Sequence, residues 1–130
     1  ASDVGKIINP LELKMQFEGG LGSAGMDTGH LEELVLDPVI GRVMTSNMID
    51  YKWRPFNELP KFDTAILESV WPTANPYGAI GIGEITGAAG PAAVLMAIEN
   101  AIGGAEINEY PATPDKILNV LGKAKGGLGE

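Results

Sequence analysis

Apolar positions recur with a loose helical spacing from Leu11 onward, through Leu11, Met15, Leu21 and Met26, with Leu13, Phe17 and Leu21 as a neighbouring i, i+4 row. Gly19, Gly20, Gly22, Gly25 and Gly29 fall in the same stretch. Each weakens an exposed helix by roughly 1 kcal/mol relative to Ala. The pattern therefore predicts a helix against which another helix or a ligand packs very closely. A second helix opens at Gly90-Pro91, carries the stripe Val94, Leu95, Ile98, Ala101 and Ile102, and ends at Gly103. A third begins at Thr113-Pro114, turns Ile117, Leu118 and Leu121 inward and stops at Gly122.

Strands are expected at 3–8, closed by a turn at Asn9-Pro10, and at 31–37 and 41–47, joined by a turn at Asp37-Pro38. Further strands are expected at 62–71, ended by Pro72, and at 106–109, while 48–60 crosses the surface irregularly. The fold class is α/β or α+β: a mixed sheet with Gly-rich and amphipathic helices. One domain spans 1–122 and a flexible tail spans 123–130.

Eighteen glycines and nine prolines in 130 residues point to many turns and close backbone approaches. The net charge of −8 leaves no basic patch for nucleic acid. Without cysteine the chain holds no disulfide, iron–sulfur cluster or thiolate metal site of its own. No apolar run reaches the roughly 18–20 residues that cross a bilayer. With one histidine, His30, a His-based metal site is not expected, and His30 reads as a surface or N-cap residue. Tyr51, Trp53, Trp71 and Tyr77 read as core or interface aromatics.

The chemistry concentrates in Pro76-Tyr77-Gly78-Ala79-Ile80-Gly81-Ile82-Gly83-Glu84. Its glycines can adopt positive φ and lie against a ligand, and it delivers a single carboxylate. Gly81, Gly83 and Gly87 miss the dinucleotide spacing by one residue, and a phosphate cradle would not accept Glu84. Glu84 is either a general base in a low-polarity, glycine-lined pocket or a helix cap or lysine partner. Gln16 pairs a donor with an acceptor, suited to the edge of a flat heterocycle, although an exposed helix glutamine is the plainer reading.

In order along the chain stand Ser2 to Pro10, Gln16-Phe17-Glu18-Gly19-Gly20, Tyr51-Lys52, Pro76-Tyr77-Gly78-Ala79, Gly81-Ile82-Gly83-Glu84 and Pro111 to Ile117. In order and spacing this series resembles the C-terminal part of the molybdenum-binding subunit of the xanthine dehydrogenase/aldehyde oxidase family. The resemblance implies a molybdenum centre on molybdopterin, possibly in its cytosine dinucleotide form, with oxo, sulfido and water-derived hydroxo ligands. It implies that Glu84 takes the proton from the hydroxyl. Gln16, Gly19, Gly20, Ile82 and Gly83 would contact the cofactor, with no side chain ligating the metal. An aldehyde or an N-heterocycle such as a purine or nicotinate would be hydroxylated. A non-catalytic scaffold and a hydroxybenzoyl-CoA reductase-like subunit share the architecture. FAD and iron–sulfur clusters would sit on partner chains, and the expected location is the cytoplasm. Ile80 stands where the family usually has Lys, and residues 22–30 depart from the family pattern. Because 130 residues cannot enclose both a pterin and a substrate, a separate subunit or a fragment bound to the rest of the molybdenum-binding chain is expected.

Overall fold

The computed structural model describes residues 1–70 and 75–124; Trp71 and Pro72 lie outside the described residues, as does the tail beyond Ala124. Helix α1, Pro10–Gly19, continues without a break into a π-helical stretch, Gly20–Asp27, and a last turn, α2, Thr28–His30. Asn9 does not form the expected turn. Its Oδ1 accepts from the amides of Leu11 and Glu12, so Asn9-Pro10 caps α1, with Pro10 in the first turn where its missing N–H costs nothing. Of the two apolar rows, Leu13 and Phe17 are buried with Val4, whereas Leu11 and Met15 face solvent.

Glycines set how the rest packs on this helix. A Cβ at Gly25 would sit 3.2 Å from the Cα of Gly90, at the start of α4, Gly90–Ala101. One at Gly29 would meet Val94 and the Pro91 carbonyl at 3.0 and 3.2 Å. At Gly22 a Cβ would lie 3.1 Å from Leu59 and 3.2 Å from Phe62. The close neighbours that a glycine-rich helix requires are therefore α4 and the crossing segment 56–62. Between them, α3, Ile85–Ala88, lies across the π-helical turn.

The β structure is sparser than the sequence predicts. β1, Ser2–Asp3, pairs in parallel with β2, Ile66–Leu67, and two residues beyond it Gly5 takes a φ of 59°. On its other side Gly5 bridges Ala79, with Lys6 donating to the Gly78 carbonyl at 2.8 Å and Ile80 to the Val4 carbonyl at 3.0 Å. The glycine-rich loop 76–84 is thereby tied to the N-terminal segment. The 31–37/41–47 pair is a hairpin reduced to one bridge, Leu36 to Val43. Its turn is closed by Asp37, whose Oδ1 accepts from the amides of Ile40 and Val39; these hold its carboxyl below the usual range. No strand forms at 106–109. Ile107 is instead buried, its amide donating to Glu99. Isolated ladders gain too little to form without flanking strands, and the described chain offers none.

The last helix, α5, Pro114–Ala124, runs through Gly122 instead of ending there. Leu118, expected inward, is exposed. It belongs to a general excess of apolar surface. The chain exposes 9310 Å², whereas a compact globule of its 13.6 kDa would expose about 6,600 Å². Val39, at 88 %, and Phe56, at 89 %, are nearly as exposed as in an extended chain.

One polar cluster is sealed inside. Asp27, 1 % exposed, accepts from Arg54 Nε at 2.9 Å and from the Arg54 amide at 3.1 Å. Arg54 Nη2 reaches His30 Nε2 at 2.9 Å, and the Met26 carbonyl lies 2.7 Å from His30 Nδ1. Since a guanidinium only donates, Nε2 must accept and Nδ1 carries the hydrogen. His30 is thus half-buried and doubly bonded, neither a surface nor an N-cap residue. Removing one partner of a buried pair leaves the other charge uncompensated. Asp27→Leu is expected to cost about 3–5 kcal/mol in equilibrium unfolding, and adding Arg54→Met to recover most of it. A single variant as stable as the wild type contradicts this role.

Candidate functional site

Glu84 lies at the rim of an open cleft of about 500 Å³ lined by Gln16, Gly19, Gly20, Ser23, Ala24, Gly83, Glu84, Thr86 and Gly87. Two elements build it: the C-terminal turn of α1 running into the π-helical stretch, and the loop entering α3. Gln16 joins them. Its Nε2 donates to the Gly83 carbonyl at 2.7 Å and lies 3.4 Å from Thr86 Oγ1. Thr86, buried at 4 %, donates from Oγ1 to that same carbonyl at 3.2 Å.

Glu84 occupies the N-cap position of α3, and its backbone carbonyl accepts from the amides of Gly87 and Ala88. Its side chain forms no cap bond and, among the described residues, no ion pair. Both plainer readings of Glu84, as side-chain cap or lysine partner, are therefore not realised. The low-polarity enclosure is absent as well: the carboxylate is exposed, and any desolvation must come from what packs over the cleft.

The predicted glycines divide by environment. A Cβ at Gly19, Gly81 or Gly83 would meet nothing within 4 Å, and none of the three has positive φ. Neither backbone geometry nor internal packing requires glycine there. In this loop only Gly78 uses positive φ, at 68°. Gly20 differs, because a Cβ there would come within 2.6 Å of the Thr86 Cβ. The space left by its missing side chain is filled by Thr86. Ile82 packs against the Val4, Leu13 and Phe17 cluster, where it anchors the loop and lines a neighbouring apolar groove instead of the Glu84 cleft.

Thr86 and the Asp27–Arg54–His30 cluster are the residues that sequence reasoning passes over. Thr86 sits three residues beyond Gly83, a spacing at which a hydroxyl can return to a backbone carbonyl. Asp27 is a lone acid in a glycine-rich apolar stretch, which marks it as needing a partner. Trp53 and Tyr77 are exposed, not core. Partial burial and the Glu32 carboxylate push the Tyr51 phenol up from its ordinary value. Among the described residues no cluster of His, Asp and Glu is arranged to hold a metal ion, and no helix is long and apolar enough to cross a membrane.

No protein-family model matches the chain. Curated proteins do. The aldehyde oxidoreductase molybdenum-binding subunit of Escherichia coli K12 is 32 % identical over 117 residues, which is 90 % of this chain and 16 % of that protein. The xanthine dehydrogenase molybdenum-binding subunit of E. coli O157:H7 is 35 % identical over 115 residues, 88 % of this chain and 15 % of the relative. The gamma subunit of the 6-hydroxypseudooxynicotine dehydrogenase complex of Paenarthrobacter nicotinovorans is 33 % identical over 124 residues, 92 % of this chain and 15 % of the relative. Among solved structures, a Cu,Mo-CO dehydrogenase in its carbon monoxide-reduced state superposes with a TM-score of 0.76 at 26 % identity, over 98 % of this chain and 16 % of that one. The chain thus spans about a sixth of the length of the proteins it matches. Through nearly all of its own length it is related, in sequence and in fold, to one segment of the molybdenum-binding subunits of the xanthine dehydrogenase/aldehyde oxidase family.

Proposed function

We propose that this chain is one wall of the active site of a molybdopterin-dependent hydroxylase, with Glu84 as the general base, acting on an aldehyde or an N-heterocycle. The observation that carries this reading is that the side chain of Glu84 has no structural task among the described residues. It projects from a glycine-lined cleft with neither cap, salt bridge nor packing role among the described residues. The residues present fit a flat, polar cofactor. The missing side chains of Gly19, Gly81 and Gly83 leave backbone open to close approach. The amide oxygen of Gln16 forms no hydrogen bond among the described residues and can accept one.

When bound, the cofactor supplies a molybdenum centre able to take up two electrons and deliver oxygen. The chain contributes placement and proton handling. Gln16 and the backbone of Gly19, Gly20 and Gly83 position the cofactor edge, with Ile82 holding the loop to the core. The Glu84 carboxylate receives the proton released as the new C–O bond forms. Its exposure in this chain leaves the exclusion of water from the carboxylate to the rest of the subunit, which would close the cleft.

That remainder is the partner in this reading, together with FAD and iron–sulfur subunits that carry electrons away. An excess of exposed apolar side chains suits an interface with that remainder. It is richest along the arm 34–56, where Val39, Ile40, Met48, Ile49 and Phe56 are exposed together.

Glu84→Gln in the intact assembly should lower turnover by about 10²–10⁴-fold while molybdenum content stays unchanged; near-normal turnover would end the general-base assignment. Gln16→Ala should lower pterin and molybdenum per copy, measured by metal and cofactor analysis, and full occupancy would return Gln16 to a purely structural role. Val39→Asp with Ile40→Asp should release the chain from the larger partner on gel filtration without altering its own circular dichroism. Retained association would mean that the arm is not the interface.

A further inference from the structure

The carbonyl of Gly83 is bound twice, by the Gln16 amide at 2.7 Å and by the Thr86 hydroxyl at 3.2 Å. A peptide group is planar, so fixing this carbonyl fixes the plane of the Gly83–Glu84 bond and the position of the Glu84 Cα; with Glu84 φ held at −95° by the start of α3, the direction in which its side chain starts follows. We infer that Thr86 is the positioning residue of Glu84, acting through the Gly83 carbonyl; this rests on the general-base reading of Glu84.

Three further features support the inference. Thr86 is buried, so its hydroxyl needs a partner, and the Gly83 carbonyl provides one. Gly20 is cut away beneath it: any side chain at Gly20 would collide with Thr86. Among the described residues the Glu84 side chain has no partner that could aim it. Its aim is set through the backbone, and Thr86 is the side chain within its own loop that reaches the relevant carbonyl. Gln16 supplies the second bond from α1, so the loop is registered to the helix that lines the opposite side of the cleft.

The test compares Thr86→Val, Thr86→Ala and Thr86→Ser in the molybdenum-containing assembly that carries this chain. Valine keeps the shape and removes the hydroxyl. Alanine removes both, without crowding. Serine keeps the hydroxyl alone. If the hydroxyl positions Glu84, the variants sort by hydroxyl: valine and alanine lose about tenfold in kcat with KM unchanged, and serine stays within about twofold of the wild type, as one hydrogen bond would dictate. Hydrogen–deuterium exchange at the amides of residues 83–87 is read in the same samples, whether or not they turn over. It should quicken about tenfold in valine and alanine and not in serine. Sorting by shape, with valine like the wild type and serine impaired, overturns the inference, as does unchanged exchange in all three. If valine fails to assemble, alanine against serine decides. Glu84→Gln run alongside separates the two claims. Undiminished turnover there removes the base, whereas the exchange comparison still judges the clamp.

Discussion

Two helices approach only as closely as their side chains permit, and at Gly25 and Gly90 there are none. The contact brings the Cα of Gly90 to 3.2 Å from where a Cβ of Gly25 would stand. The other placements follow from it. With α4 seated this near, α3 is laid across the π-helical turn, Thr86 drops onto Gly20, and the loop ending in Gly83 and Glu84 comes within reach of Gln16. The wide turn of a π-helix is costly and is common where function requires it. Here it is held at its far end by the buried Asp27–Arg54 pair, which also ties down the irregular segment beyond residue 48.

The site thus rests on backbone proximity more than on charge. Gly19 and Gly83 leave main chain uncovered on the cleft side, and the single carboxylate is aimed by hydrogen bonds to the carbonyl that precedes it. An acidic chain with no clustered cations can hold a large polar cofactor in this way, because amides and bare backbone supply both donors and acceptors.

What the sequence disclosed was mostly local. The row Leu13–Phe17, the stripe of α4 behind Pro91 and the glycine-rich loop could be read because their determinants lie within a turn or two of one another. Asn9-Pro10 was read as a turn because a helix cap and a turn share the same residues, and only the helix that follows separates them. The expected strands at 31–37, 41–47 and 62–71 carry suitable side chains, but a ladder depends on its neighbours, and these segments find only a bridge or a two-residue pair. Asp27 and Arg54 lie 27 residues apart, and Gln16 and Gly83 lie 67 apart. No periodicity links such positions, so the clamp and the buried ion pair emerge only from the fold. Glu84 is legible as a chemical residue, whereas the freedom of its side chain from any hydrogen-bond or salt-bridge partner among the described residues is not.

The proposed function requires a molybdenum cofactor to lie against Gly83 and Glu84. Anomalous diffraction collected across the molybdenum absorption edge, on crystals of the native assembly that contains this chain, tests it directly. The account predicts a single strong peak per copy in the cleft bounded by Gln16, Gly19, Gly83 and Glu84, with the Glu84 carboxylate facing it. A peak elsewhere, or an assembly without molybdenum, would contradict it.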